Sequence, residues 1–179
     1  MRSGIIPDHC RAMAFFTASP MPIRGGLAVD QVLVEEFFIQ GESICTNNAR
    51  EATDSGKIPD LWAKFYAAHP DPKETAYGVY SGYESDASGE FTVTAGIKVA
   101  SMADATVAIQ AGTYLMFPAN GVMPAAIIDA WNDVWAYFSR SQLHVRAYET
   151  DFEQYIGPES AIIHIGIRES SQLSVHAPD

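Results

Sequence analysis

From Gln31 onward the chain alternates strand-like runs with two stretches in which apolar residues recur every three or four positions. "VLVEEFFIQGESICT" (32–46) predicts one long or bulged strand, with Gly41 at the bulge. "NNAREATDSGK" follows as a polar connection, and Pro59 then suits the first turn of a helix. "DLWAKFYAA" carries Leu61, Trp62, Phe65 and Tyr66 at helical spacing and stops at His69-Pro70. Strands are expected at 76–84 and 90–99, joined by the turn "SDASG". The second half runs in the same order. "ATVAIQAGTYLMFPA" (105–119) is strand-like, and "PAAIIDAWNDVWAYFSR" (124–140) sets Ile127, Trp131, Trp135 and Phe138 along one helical face. "LHVRAYETDFEQY" and "AIIHIGIR" (161–168) predict a closing pair of strands.

The halves also share residues. Ile39-Gln40 recurs as Ile109-Gln110 and "AGIK" (95–98) as "IGIR" (165–168), both at an offset of 70. Trp62 and Phe65 recur as Trp135 and Phe138 at 73, and Tyr83-Glu84 as Phe152-Glu153 at 69. Four matches in one order imply a duplicated β-α-β-β unit with a pseudo-two-fold axis. The expected fold is α+β: an antiparallel sheet whose two helices flank a central groove, a common place for a ligand. Residues 1–30 are broken by Pro7, Pro20, Pro22, Gly25 and Gly26 and read as a loosely held extension, with Met13 or Met21 as alternative starts. The domain is expected over 31–169, with a tail at 170–179.

Composition narrows the function. A chain of 179 residues with 47% apolar and 18% charged residues is long enough to bury a core as one domain. Its net charge of −11 argues against binding a phosphate backbone and favours cations. Cys10 and Cys45 lie far apart without metal-type spacing, which suits a reducing compartment. No apolar run reaches membrane-span length, so a cytoplasmic location is expected. His9, His69, His144, His164 and His176 show no ligand spacing, and no metal or cofactor is expected. There is no GxSxG, P-loop or GxGxxG motif.

Several segments carry a family likeness. "TNNARE", "IPDLWAKF", "YGVYSGYESD", "GEFTVTAGIKV", "AGTYLMFPANGVMPAAIIDAWNDVWAYF" and "RAYETDFEQY" occur in order over roughly 31–169. They resemble the GyrI-like, or bacterial transcription-activator effector-binding, domains, and among these the stand-alone, integron-associated effector-binding proteins. The resemblance implies two β-α-β-β units around an aromatic cleft for lipophilic cations, often with an acidic counter-charge. Residues 1–30 are too short and too broken for the helix-turn-helix of longer relatives, so a regulatory role would act through a partner protein. In many relatives the last strand carries an early acid, in patterns resembling "VDIYIAI"; here Ile162 and His164 stand in those places.

With that acid missing, Glu84 becomes the first candidate for the counter-charge, and Asp86 and Glu90 are fallbacks. Trp62, Phe65, Trp131 and Trp135 lie on the two matching helical stretches of the repeat and suit a cationic aromatic ligand, although helical stripes of this kind also build cores. Strand alternation places Tyr80 beside Glu84, and Tyr77 and Tyr83 on the other side. Tyr83, Tyr148 and Phe117 complete the expected walls, and alternation turns His164 toward the groove. The expected ligand is a lipophilic, drug-like cation, sensed or sequestered by a monomer or homodimer that binds neither nucleic acid nor membrane. The alternatives are a GyrI-like hydrolase of electrophilic compounds and a gyrase-interacting module.

Overall fold

The computed structural model describes residues 29–70, 74–140 and 143–168. The alternative starts Met13 and Met21, most of the 1–30 extension and the 170–179 tail lie outside the described residues. In chain order the elements are β1 (Asp30–Val34), β2 (Phe37–Thr46), α1 (Asn48–Glu51), α2 (Ile58–Ala68), β3 (Ala76–Ser81) and β4 (Phe91–Val99). A 3-10 turn (Met102–Asp104) leads to β5 (Val107–Ile109), β6 (Gly112–Asn120), α3 (Ala125–Arg140), β7 (Val145–Gly157) and β8 (Ser160–Arg168).

All the strands join one antiparallel sheet in the order β1-β6-β8-β7-β3-β4-β2-β5. Outward from its centre, β3-β4-β2-β5 on one side mirrors β7-β8-β6-β1 on the other. This is the pseudo-two-fold expected of an α+β duplication, with its axis between β3 and β7. The edge strands are exchanged: β1 pairs with β6 of the second half, and β5 with β2 of the first.

That exchange corrects two strand readings. The 32–46 run is not one strand, because the chain leaves the ladder at Glu35-Glu36 to reach a different neighbour. Gly41 is no bulge; it pairs in regular register with Gly96. An ideal Cβ on Gly41 would meet the Ala95 carbonyl at 2.0 Å, so this closely approached crossing requires glycine. The 105–119 run likewise divides into β5 and β6.

α2 packs on β2 and β4, and α3 on β6 and β8, so each helix covers the outer strands of its own half. The middle strands are left beneath a groove. The main core lies under the helices and includes Leu61, Phe65, Val93, Leu115, Phe117, Ile127, Ile163 and Ile165. A smaller core of Ile39, Tyr77, Val79, Ile109, Tyr114 and Phe152 lies on the opposite face, where the sheet curls and β5 reaches β3 and β7.

"TNNARE" turns out to be a structural device. The Asn47 side chain accepts from Arg50 N to start α1. Asn48 donates to the Ala87 carbonyl at 2.7 Å and ties the β3–β4 connection to α1. Glu51 is buried, accepts from Thr46, and accepts the first amides of α2, from Lys57 N at 3.0 Å and Ile58 N at 3.1 Å. A carboxylate on unsatisfied helix N–H groups is a stable arrangement, and here it fixes the start of the helix that carries Trp62.

Candidate functional site

The pseudo-axis places two acids beneath the groove. Gly78 pairs with Glu153 and Tyr80 with Asp151 across the β3–β7 ladder, so all four share the face under the helices. The two pairs exchange across the axis, which makes Tyr80 and Glu153 equivalent positions. They are separated by the same 73 residues as Trp62 and Trp135.

Glu153 is fully buried. Its Oε1 accepts from the Tyr80 hydroxyl at 2.8 Å and from Trp131 Nε1 at 2.7 Å, and its Oε2 accepts from the Tyr155 hydroxyl at 2.8 Å. All three donors are neutral, and no cation pairs with this carboxylate among the described residues. Burial pushes its pKa up, and the bonds from Trp131, Tyr80 and Tyr155 only partly offset that. Burial, reinforced by the acid, also holds the Tyr80 and Tyr155 phenols well above their ordinary value.

Gly78 makes the room. An ideal Cβ there would lie 2.7 Å from Glu153 Oε2 and 2.9 Å from Trp62 Cζ2. Trp62 in turn sets its ring against Tyr155, centroids 4.9 Å apart. Its buried indole N–H has no hydrogen-bond partner among the described residues. Gly78→Ala is expected to drive the carboxylate out of its seat and to cost about 1–3 kcal/mol. A urea titration reads the cost, and a change below about 0.5 kcal/mol would show that the seat is not tight.

Asp151 has a different environment. It is also fully buried, but Arg146 donates to its Oδ2 through Nη2 at 2.7 Å and Nε at 3.2 Å. The Tyr83 hydroxyl donates to the same oxygen at 2.6 Å, and Gly166 N to Oδ1 at 2.9 Å. Burial works against the charge on Arg146, but Asp151, Tyr83 and Tyr148 together more than offset it, so the guanidinium pKa is raised. A bulge in β7 between Arg146 and Asp151 shapes this pair. Within it Tyr148 takes φ 54, a left-handed conformation that costs a non-glycine residue about 1–2 kcal/mol. Such strain concentrates at functional sites.

Beside the two acids is a narrow recess, partly open to solvent, lined by Asn48, Ile58, Tyr80, Tyr83, Ala87, Phe91, Trp131, Trp135 and Arg146. Tyr80 and Trp131 form the wall that separates it from Glu153. Four of the expected site residues therefore meet here: Tyr80, Tyr83, Trp131 and Trp135. Tyr148 adjoins them, 5.5 Å from Tyr83 by ring centroids. Trp62 stands behind, at Glu153.

Other expected residues lie elsewhere. Glu84 is exposed; its backbone N–H closes the turn on the Glu90 carbonyl at 2.8 Å, and its carboxylate accepts from Glu90 N at 3.3 Å. Asp86 caps the same turn through Ser88, and Glu90 is exposed. Phe65 and Phe117 are core residues away from the recess. His164 stacks on Phe152 at 4.2 Å on the opposite face of the sheet, and burial pushes its pKa down to about 4. The strand alternation of Tyr83 fails as well. β3 ends at Ser81, and Gly82 at φ +59 turns the chain so that Tyr83 joins Tyr80's side. Sequence reasoning missed Glu153, Asp151, Arg146 and Gly78 as site residues. Carrying the helix offset of 73 into the strands would have aligned Glu153 with Tyr80.

Among the described residues no cluster of three or more His, Cys, Asp or Glu side chains could hold a metal, and no helix is long and apolar enough to cross a membrane. An aromatic recess backed by a cation-free acid at a pseudo-two-fold axis defines a small-molecule binding domain. Residues 43–167 match the GyrI-like small molecule binding domain, and the chain belongs to that family. It is similar to the integron cassette protein VCH_CASS2 from Vibrio cholerae: 37% identity, TM-score 0.71, over 78% of this chain and 95% of that one. The SAV2435 protein, whose structure was determined bound to tetraphenylphosphonium, shares the fold with TM-score 0.64 at 16% identity, over 79% of this chain and 94% of that one. YobU of Bacillus subtilis (strain 168), whose name assigns it provisionally to transcriptional regulation, is 24% identical over 64% of this chain and 78% of its own length.

Proposed function

We propose that the recess takes up a lipophilic cation, that Glu153 is its counter-charge, and that the chain senses or sequesters such compounds. The observation that carries this reading is a fully buried carboxylate held only by neutral donors, behind a wall of indole and phenol rings. An unpaired buried charge is costly, and a ligand cation relieves that cost. At about 4 Å and an intermediate dielectric the attraction is on the order of 4 kcal/mol before desolvation. Each ring face it touches adds about 0.5–2 kcal/mol. Tyr80 and Trp131 must part to let the ligand reach the acid, because they hold its Oε1. The tetraphenylphosphonium complex of SAV2435 supports the ligand class.

Tryptophan fluorescence tests the proposal directly, since Trp131 and Trp135 line the recess. Tetraphenylphosphonium is expected to change the emission at micromolar concentration, and neutral triphenylphosphine oxide to bind at least tenfold more weakly. Equal affinities would remove the counter-charge, and silence from both would refute a cation site.

A further inference from the structure

The recess already contains a cation. The Arg146 guanidinium lies 4.7 Å from the Tyr148 ring centroid, 5.3 Å from Trp135, 5.6 Å from Tyr83 and 5.7 Å from Trp131. Three of these four rings line the recess, as Arg146 does itself. A ligand seated against these rings would lie beside that guanidinium.

Arg146 also has hydrogen-bonding capacity to spare. Its Nε and Nη2 bond Asp151, and Nη2 also reaches the Tyr83 hydroxyl at 3.0 Å. Nη1 has no hydrogen-bond partner among the described residues. Asp151 has already neutralised the guanidinium, so what Arg146 offers a ligand is a donor without a net attraction for anions. A neutral acceptor fits that offer better than a carboxylate, which Asp151 would repel.

The two anchors meet different parts of Trp131, Glu153 its edge and Arg146 its face. Its Nε1 donates to Glu153 while its ring faces Arg146. Asp151, which holds Arg146, and Glu153 are alternate residues on one strand face, with backbone positions roughly 7 Å apart. From this geometry we infer that the preferred ligand is a flat aromatic amine that carries a carbonyl-type hydrogen-bond acceptor, with its ammonium toward Tyr80 and Glu153 and its acceptor on Arg146. This rests on the reading of Glu153 as counter-charge and adds Arg146 as the residue that sets specificity.

Two probes test it on the full chain: 2-naphthylmethylamine and its 6-methoxycarbonyl derivative, titrated by fluorescence. The wild type is expected to bind the ester at least fivefold more tightly than the plain amine. Arg146→Met combined with Asp151→Asn removes the donor while leaving no unpaired buried charge. That variant should bring the ratio of the two affinities to about one. A wild-type ratio near one, or a ratio that survives in the double variant, would overturn the inference, and the wild-type ratio decides even if the variant folds poorly. Glu153→Gln separates the two readings. It should weaken both probes by the same factor and keep their ratio. If it leaves both affinities untouched, Glu153 is not the counter-charge, while the ratio still decides the role of Arg146.

Discussion

Arg146→Ala is expected to cost about 3–5 kcal/mol of folding stability, the amount associated with breaking a buried pair by removing one partner. The loss does not measure the attraction between Arg146 and Asp151. It measures what remains: an Asp151 carboxylate at 0% exposure whose surviving partners are one phenol and one backbone amide. Arg168 and Glu149 provide the control. They also form an ion pair, but at 3.4 Å and with side chains 63% and 59% exposed. Arg168→Ala should therefore change stability by no more than about 0.5 kcal/mol. Urea midpoints of the two variants, measured side by side, test the contrast. Adding Asp151→Asn to Arg146→Ala should recover most of the loss by deleting the stranded charge. If Arg146→Ala costs no more than Arg168→Ala, water reaches Asp151 and the recess is wetter than its geometry implies.

The same contrast shows what the sequence could reveal. Helical stripes, turn residues and repeated segments mark α2, α3 and most strands, because period and punctuation are local properties. Partner choice is not. Nothing in "VLVEEFFIQ" announces that its first residues cross to β6 while the rest pair with β4 and β5, and the long-strand reading failed there. The rings of the recess were legible as well: Trp131 and Trp135 through helical spacing, and Tyr80 through its strand. The acid was not. Glu84 stands among aromatics in the sequence, but Gly82 turns the chain after Ser81 and leaves Glu84 on an exposed turn. Glu153 is flanked by Phe152 and Gln154 and looks like an ordinary strand residue. Its depth comes from Gly78 on the facing strand and from two helices far away in sequence. Asp151 and Glu153 are alike by position, but Arg146 reaches only Asp151.

Glu153→Gln is expected to weaken tetraphenylphosphonium binding 10- to 100-fold, about 1.4–2.8 kcal/mol, and to make the unliganded protein more stable at pH values where the buried acid is ionised. These opposite signs have one cause. Burial raises the pKa of Glu153 in the folded state above its value of about 4.3 in an unfolded chain. The fold therefore favours the protonated acid. That contribution is fully present below the unfolded value and is lost as pH rises through the folded one, above which the wild type carries a buried charge. The amide carries none, so the variant's stability should lack this part of the pH dependence, with a gain of about 1.4 kcal/mol for each unit by which the pKa is raised. A bound cation reverses the preference by favouring the ionised form. Wild-type affinity should then climb with pH across the same window and level off above it, while the variant's weak affinity stays flat. The neighbouring phenols do not interfere, since Tyr80 and Tyr155 titrate well above their ordinary value. Glu84→Gln is the control; at its exposed turn it should change neither binding nor stability. Calorimetric titration at several pH values, with urea midpoints at the same values, measures both signs. A variant that loses stability and affinity together would mean that Glu153 holds the groove shut as a structural residue and does not wait there for a cation.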